Sequence, residues 1–347
     1  MKSHILFLYL AQVGARQSNP MAYIYITRKI PSAGIELLKS AGHTVDMNPD
    51  DRVLGADELL TALTSTQYDA VLCLLTDKIT ADVMSAAPSV KIFANYAVGY
   101  DNIDMQAARK LGKIISNTPG VLTDAVAEHT VTLALSIMRR IVESDGYLRA
   151  GKYTSWAPEL LLGSAIRGKT VGIVGLGRIG SRVAEILHHG FGMHVVYYDV
   201  HQNAEFETSV NATFHKDLST LLPACDLVSV HVPLLPTTKH LFSDAEFQQM
   251  KRTAYIVNTS RGSVIDEEAL VRALSTGVIR GAALDVFEHE PALTEGLAAL
   301  PNVVITPHTA SATEEARSEM SHMAAANIIA VLAGTPAPQQ VPYPAEA

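Results

Sequence analysis

The chain has 347 residues, 48% of them hydrophobic and 18% charged, with a formal net charge of −8; it is too long for one ordinary core, implies about two domains, and has a globular rather than a disordered composition. An acidic balance without a Lys/Arg cluster excludes nucleic acid as a partner, and no apolar run reaches the ~20 residues that cross a bilayer. The two cysteines, Cys73 and Cys225, both lie inside apolar runs and read as buried small hydrophobes in a reducing, cytoplasmic setting.

Residues 1–20 carry an apolar stretch, Ile5 to Ala11, with only Lys2 before it. That is too short and too weakly flanked for an export signal, so these residues read as an extension outside the fold. Met21 then precedes a convincing strand. From there short β-rich runs (Ala22 to Thr27, His43 to Asp46, Ala70 to Leu74, Ile92 to Ala94, Lys113 to Ser116) alternate with helix-period segments (Ser32 to Ala41, Ala56 to Thr64, Ala81 to Ala86, Met105 to Leu111). Such a rhythm predicts a parallel sheet covered on both faces. A long helix is predicted over Ala125 to Ser144, apolar nearly all round and therefore expected to be buried between domains or subunits.

The stretch Lys169 to Asp199 has the order strand, glycine-rich turn, helix, strand, acid. Gly175 permits the tight turn, Gly177 lets a pyrophosphate approach the backbone, and Gly180 lets the helix pack on its strand. Asp199, about 24 residues on, suits both hydroxyls of an adenosine ribose and repels a 2′-phosphate, so NAD is favoured over NADP. Six strands are expected here: Thr170 to Val174, His194 to Tyr198, Leu227 to Val230, Tyr255 to Val257, Gly281 to Leu284 and Val303 to Ile305. In a parallel sheet their carboxyl ends share one edge, where ligands bind. Arg261, Glu290 and His308 lie at or just beyond the last three of those ends. A guanidinium at Arg261 suits a bidentate carboxylate clamp or a salt bridge. Spacing does not choose between Glu288 and Glu290, and His231 at another strand end reads as a pocket lining or a packing residue. No cluster has metal-ligand spacing. A final helix is expected over Thr313 to Leu332.

From Met21 onward the chain resembles the D-isomer-specific 2-hydroxyacid dehydrogenases, and most the glyoxylate/hydroxypyruvate reductase branch. The resemblance rests on Asn95-Tyr96-Ala97-Val98-Gly99-Tyr100-Asp101-Asn102-Ile103-Asp104, Gly175 to Gly180, Asn258-Thr259-Ser260-Arg261-Gly262, Asp285-Val286-Phe287-Glu288-His289-Glu290-Pro291 and Thr306-Pro307-His308. It implies an α/β architecture of two doubly wound parallel-sheet domains with an active-site cleft between them. A flavodoxin-like substrate domain would comprise residues 21–119 and 309–347, and a Rossmann NAD-binding domain residues 120–308. It selects Glu290 over Glu288, and makes Arg261, Glu290 and His308 the catalytic set.

On the same resemblance NAD would be held by Gly175, Leu176, Gly177, Arg178, Ile179, Gly180, Asp199, Val232, Pro233, Thr238, Thr259, Ser260, Arg261, Asp285 and His308, with Asp285 on the nicotinamide amide. A small 2-oxo or 2-hydroxy acid would be held by Val98, Gly99, Arg261 and His308. The implied reaction is NADH-dependent reduction of glyoxylate or hydroxypyruvate, with His308 as proton donor, in a homodimer with no membrane partner. A 3-phosphoglycerate dehydrogenase would want more basic residues than the loop around Asn95 to Asp104 offers. A D-lactate dehydrogenase is a further alternative. So is an NAD-sensing co-repressor of the same fold, against which the complete Arg261, Glu290 and His308 set argues.

Overall fold

The computed structural model describes residues 21–344; the expectation for residues 1–20 lies outside the described residues. The chain folds into two compact units, one that ends at Pro119 and resumes at Arg317, the other Gly120–Ala316. The sequence reading puts the return at residue 309.

The first unit holds a parallel five-stranded sheet of β1 (Tyr23–Ile26), β2 (Thr44–Met47), β3 (Ala70–Leu74), β4 (Ile92–Tyr96) and β5 (Ile114–Ser116), in the order β2-β1-β3-β4-β5. This is the flavodoxin order, with helices returning the chain between parallel neighbours. Tyr25, Val71, Cys73, Phe93 and Ile115 share one core with Leu59 and Leu63 of the helix Ala56–Ser65. Helix Ser32–Ser40 has no side-chain cap of its own, because Pro31 precedes it. Ser321, on the helix Glu314–Leu332, takes that part: its hydroxyl accepts the Gly34 N–H at 3.0 Å and donates to Pro31 O at 2.7 Å. A Cβ on Gly34 would lie 2.2 Å from Ser321 O, so the contact requires glycine. Lys113, only 5% exposed, donates to the carbonyls of Ala87, Pro88 and Val90 at 3.0, 2.9 and 2.8 Å. These close the end of helix Ala81–Ala86, and burial pushes the lysine pKa down.

The second unit holds a parallel seven-stranded sheet of β6 (Thr170–Val174), β7 (His194–Tyr198), β8 (Thr213–His215), β9 (Leu227–Val230), β10 (Tyr255–Asn258), β11 (Gly281–Leu284) and β12 (Val303–Ile305). Its order is β12-β11-β10-β9-β6-β7-β8, the doubly wound Rossmann arrangement with one further strand. Successive residues feed opposite faces. Tyr255 and Val257 join a core with Val131, Ile173 and Tyr197, while Ile256 joins Phe242, Phe247 and Leu270 on the other side. Strand β8, absent from the sequence reading, is a three-residue edge strand and too short to show a period.

The helix expected over Ala125 to Ser144 is two helices, Thr123–Met138 and Ile141–Arg149. Arg140 between them is left-handed, with φ 53°, and its guanidinium grips Glu143 through two 2.7 Å bonds. Ser164 N–H takes the Met138 carbonyl at 2.7 Å, ending the first helix, and a Cβ on Gly163 would lie 2.4 Å from that oxygen. The first helix is buried, but against the sheet of its own unit, where Val131, Ala134 and Ile137 share a core with Ile173, Tyr197 and Val257, and not between domains or subunits as expected. The second buries no residue in this chain, and Ile141, Val142 and Leu148 are more than half exposed.

Candidate active site

Strand β6 runs into Gly175, whose φ of 97° is left-handed and whose Cβ, if present, would lie 2.8 Å from both His231 C and Val232 N. Glycine is required there twice, by the turn and by the neighbouring strand end. A Cβ on Gly180 would lie 2.1 Å from Gly175 O, so helix Arg178–Glu185 can seat on the turn only without one. Gly177 differs, with nothing within 4 Å of its Cβ position. It is also the N-cap of that helix and supplies no side-chain cap, which leaves the first-turn N–H groups available to an anion.

Asp199 follows β7. One of its oxygens accepts the Leu176 N–H at 2.7 Å and the other the His201 N–H at 3.1 Å, so the acid is tied to the glycine turn. An open glycine, an uncapped helix start and a carboxylate at the next strand end fit a dinucleotide. Past β9, Thr238 donates to Pro233 O at 2.6 Å and accepts the Leu235 N–H at 2.8 Å, folding the segment after Val232 and Pro233 into a turn. His231 is bonded back to Ser229 Oγ at 2.8 Å, and burial pushes its pKa down to about 3. Its imidazole is therefore neutral near pH 7 and engaged with its own strand.

The three remaining strand ends are fastened to one another. After β10, Asn258 accepts the N–H and hydroxyl of Ser260 at 3.0 and 2.8 Å and donates to Arg261 O at 2.9 Å, which shapes the loop that presents Arg261. Thr259 is bonded to Thr130 at 2.8 Å. A Cβ on Gly262 would lie 1.8 Å from Phe287 C, so the loops after β10 and β11 touch backbone to backbone.

Asp285, fully buried, receives Thr306 Oγ1 at 2.6 Å, Thr309 N–H at 2.8 Å and Ala310 N–H at 2.7 Å, with His129 Nε2 at 3.5 Å. Burial alone would push its carboxyl up. The bonds from His129, Thr306, Thr309 and Ala310 outweigh burial and hold it below the ordinary carboxylate value. The Asp285 carbonyl also accepts the His308 N–H at 2.8 Å. The carboxylate assigned by resemblance to a nicotinamide amide thus already organises the loop that carries His308.

His308 is left-handed, with φ 55°. Its Nδ1 meets Glu290 Oε2 at 2.9 Å, and Glu290 Oε1 accepts the Phe287 N–H at 3.0 Å. Among the described residues Nε2 of His308 has no protein partner, and the ring keeps 27% of its surface. Burial raises the Glu290 carboxyl, but the bond and charge of His308, the Phe287 N–H and the Arg261 guanidinium hold it below its ordinary value. Glu288 pairs instead with His240, at 2.6 Å.

The nucleotide-binding candidates and Arg261, Asp285, Glu290 and His308 thus share the carboxyl edge of one sheet. Val98 and Gly99 stand in the other unit after β4, their carbonyls taken by Asn117 and Asn95 at 2.8 and 2.9 Å. Neither donates its N–H to a protein acceptor among the described residues. His129 and Thr130 reach the edge from the helix Thr123–Met138. No motif marks them, because their partners lie more than a hundred residues away.

A glycine turn on a doubly wound sheet, with an imidazole, a carboxylate and a guanidinium along the same edge, defines a nicotinamide-dependent oxidoreductase. Residues 131–310 match the model for the D-isomer specific 2-hydroxyacid dehydrogenase, NAD binding domain. Glyoxylate reductase of Thermofilum pendens is 48% identical over 320 residues, 92% of this chain and 94% of that protein. Among solved structures, a glyoxylate reductase from Paecilomyes thermophila superposes with a TM-score of 0.83 at 32% identity, covering 93% of this chain and 99% of that one. An NADPH-dependent glyoxylate/hydroxypyruvate reductase of Sinorhizobium meliloti, in complex with NADP and malonate, does so with 0.79 at 31%, covering 94% and 99%. The chain belongs to the D-isomer-specific 2-hydroxyacid dehydrogenases. Among the described residues no helix is long and apolar enough to cross a membrane.

Proposed function

We propose that the protein reduces a small 2-oxo acid, glyoxylate or hydroxypyruvate, to the 2-hydroxy acid with NADH. The observation that carries this reading is the His308–Glu290 pair, with Nδ1 engaged and Nε2 unengaged at the edge that bears the glycine turn. Bound NADH supplies the hydride that adds to the carbonyl carbon. His308, as the imidazolium, hydrogen-bonds the carbonyl oxygen through Nε2 and gives up that proton as the oxygen gains charge. Glu290 favours the charged ring. Arg261 binds the substrate carboxylate and stabilises the developing alkoxide. The N–H groups of Val98 and Gly99 donate to the carboxylate. Asp285, fully buried, holds Thr309 and Ala310, and would orient the nicotinamide amide from beneath that turn.

Leu176, Arg178 and Ile179 line the pyrophosphate with the three turn glycines, and Val232, Pro233, Thr238, Thr259 and Ser260 line the rest of the nucleotide. Asp199 favours NADH, because a carboxylate beside the turn accepts ribose hydroxyls and repels a phosphate. The similarity to a protein named glyoxylate reductase, that of Thermofilum pendens, favours glyoxylate. A homodimer is proposed from the exposed apolar side chains Ile141, Val142, Leu148, Trp156 and Leu162, which a second copy would cover; light scattering on the purified chain reads the mass. The direct test follows absorbance at 340 nm with each cofactor against glyoxylate, hydroxypyruvate, pyruvate and 3-phosphohydroxypyruvate. NADH loss with glyoxylate or hydroxypyruvate supports the reading, and turnover of none of the four overturns it.

A further inference from the structure

The loop that carries Glu290 is held by a second histidine–glutamate pair that the reaction itself does not use. Glu288, two residues earlier, bonds His240 Nε2 at 2.6 Å, and its side chain is only 13% exposed. On the other side the Glu288 N–H donates to Glu267 Oε1 at 2.6 Å, while Glu267 Oε2 accepts the Thr294 hydroxyl at 2.7 Å. His240 is itself fixed. It is left-handed, with φ 52°, and its N–H donates to Ser263 O at 2.8 Å, two residues past Arg261. It also ends the segment that begins at Val232 and turns at Thr238. His240, itself part of the segment after β9, therefore meets the chain after Arg261 through its backbone N–H and the loop of Glu290 through its imidazole.

We infer that His240 is a positioning residue: clasped to Glu288, it fixes the Phe287–Glu290 turn so that Glu290 stays on His308, and it ties that turn to the segment after β9. The distance decides the matter, since a charge-assisted bond of 2.6 Å is short even for its class and among the described residues Glu290 has one further hydrogen bond besides that to His308, from the Phe287 N–H at 3.0 Å. The charged groups about the clasp are Glu288, Glu267, Asp266 at the start of the helix Glu267–Ser275, and Lys239 next in the chain; those facing Glu290 are His308 and Arg261. With the clasp released, Glu290 drifts from His308, and an imidazolium that loses its carboxylate partner gives up its proton more easily.

This inference rests on the reading of His308 and Glu290 given above, and the test separates the two. The full-length enzyme and its His240→Ala, His240→Gln, Glu288→Ala and double-alanine variants are compared in NADH-dependent glyoxylate reduction across pH, each with its melting temperature. His240→Ala is expected to lower kcat by about ten- to a hundredfold and to move the alkaline limb of kcat/KM to lower pH, with KM for NADH little changed. His240→Gln, whose amide still donates to Glu288, restores most of kcat, and the double variant is no worse than either single one, as for residues acting as a unit. A lower melting temperature with wild-type kcat and an unmoved limb would make His240 a merely structural residue, and additive losses in the double variant would sever it from Glu288. Either result overturns the clasp. An inactive wild-type chain, or full activity in His308→Gln, would instead remove the reading beneath it.

Discussion

His308 Nδ1 and Glu290 Oε2 stand 2.9 Å apart, although the two residues follow different strands of the sheet. The contact leaves one face of the imidazole committed to a carboxylate and the other free for a substrate. Replacing His308 with Gln is therefore expected to cut turnover by about 10² to 10⁴ while leaving NADH affinity nearly intact. Stopped-flow turnover and fluorescence titration of NADH separate the two effects. Turnover within about threefold of wild type would remove His308 from proton transfer.

Two of the turn glycines, Gly180 and Gly177, predict different failures. Gly180→Ala places a methyl 2.1 Å from Gly175 O and is expected to cost stability by about 1–3 kcal/mol. Gly177→Ala meets nothing within 4 Å, so the chain should unfold at the wild-type urea concentration and yet bind NADH more weakly. Equal NADH affinity in Gly177→Ala would mean that the pyrophosphate does not approach there.

Asp199 sits within 2.7 Å of the Leu176 N–H, where its charge also faces the proposed ribose site. Asp199→Ala is expected to lower kcat/KM for NADH by about ten- to a hundredfold, the scale of a lost charged hydrogen bond, and to change NADPH less. Steady-state kinetics with both cofactors give the ratio, and a wild-type enzyme that prefers NADPH would refute the argument at once.

Acid sensitivity follows from the carboxyls held below their ordinary values. Asp285 and Glu290 each contribute stability that is fully present above the unfolded carboxylate range, about pH 4, and that is lost as pH falls through the lower folded value. Asp285 dominates because it is buried, whereas Glu290 keeps 32% of its side chain exposed and is screened. Asp285→Asn should lower the melting temperature near neutrality and flatten its fall between about pH 5 and about pH 2. An unchanged acid slope would show that Asp285 is not among the groups whose protonation unfolds the unit.

Lys113 offers a check remote from the chemistry. Its ammonium satisfies three carbonyls at 2.8 to 3.0 Å, so Lys113→Met should cost about 1–3 kcal/mol in urea unfolding through the acceptors it leaves bare. Catalytic constants at moderate temperature should be unaffected.

Much of this was legible in the sequence because it is carried by local pattern. Short apolar runs marked eleven of the twelve strands among the described residues, and the glycine spacing with Asp199 marked the nucleotide edge. What escaped was decided between distant segments. The break at Arg140 depends on Ser164 reaching back to Met138, and no breaker residue announces it. The choice between Glu288 and Glu290 came from resemblance; the structure gives each its own histidine, His240 or His308. The engagement of Asp285 with Thr306, Thr309 and Ala310 crosses about twenty residues of chain, and a role assigned by motif alone says nothing of it.

The fastening of Asp285 bears on how this scaffold can be altered. Its N–H reaches Asn258 O, its carbonyl takes the His308 N–H, and its carboxylate gathers the turn beyond, so neighbouring strands hand their alignment directly to the reactive groups. Substitutions within that belt therefore shift His308 together with its neighbours, and only changes made outside it leave the His308–Glu290 contact in register.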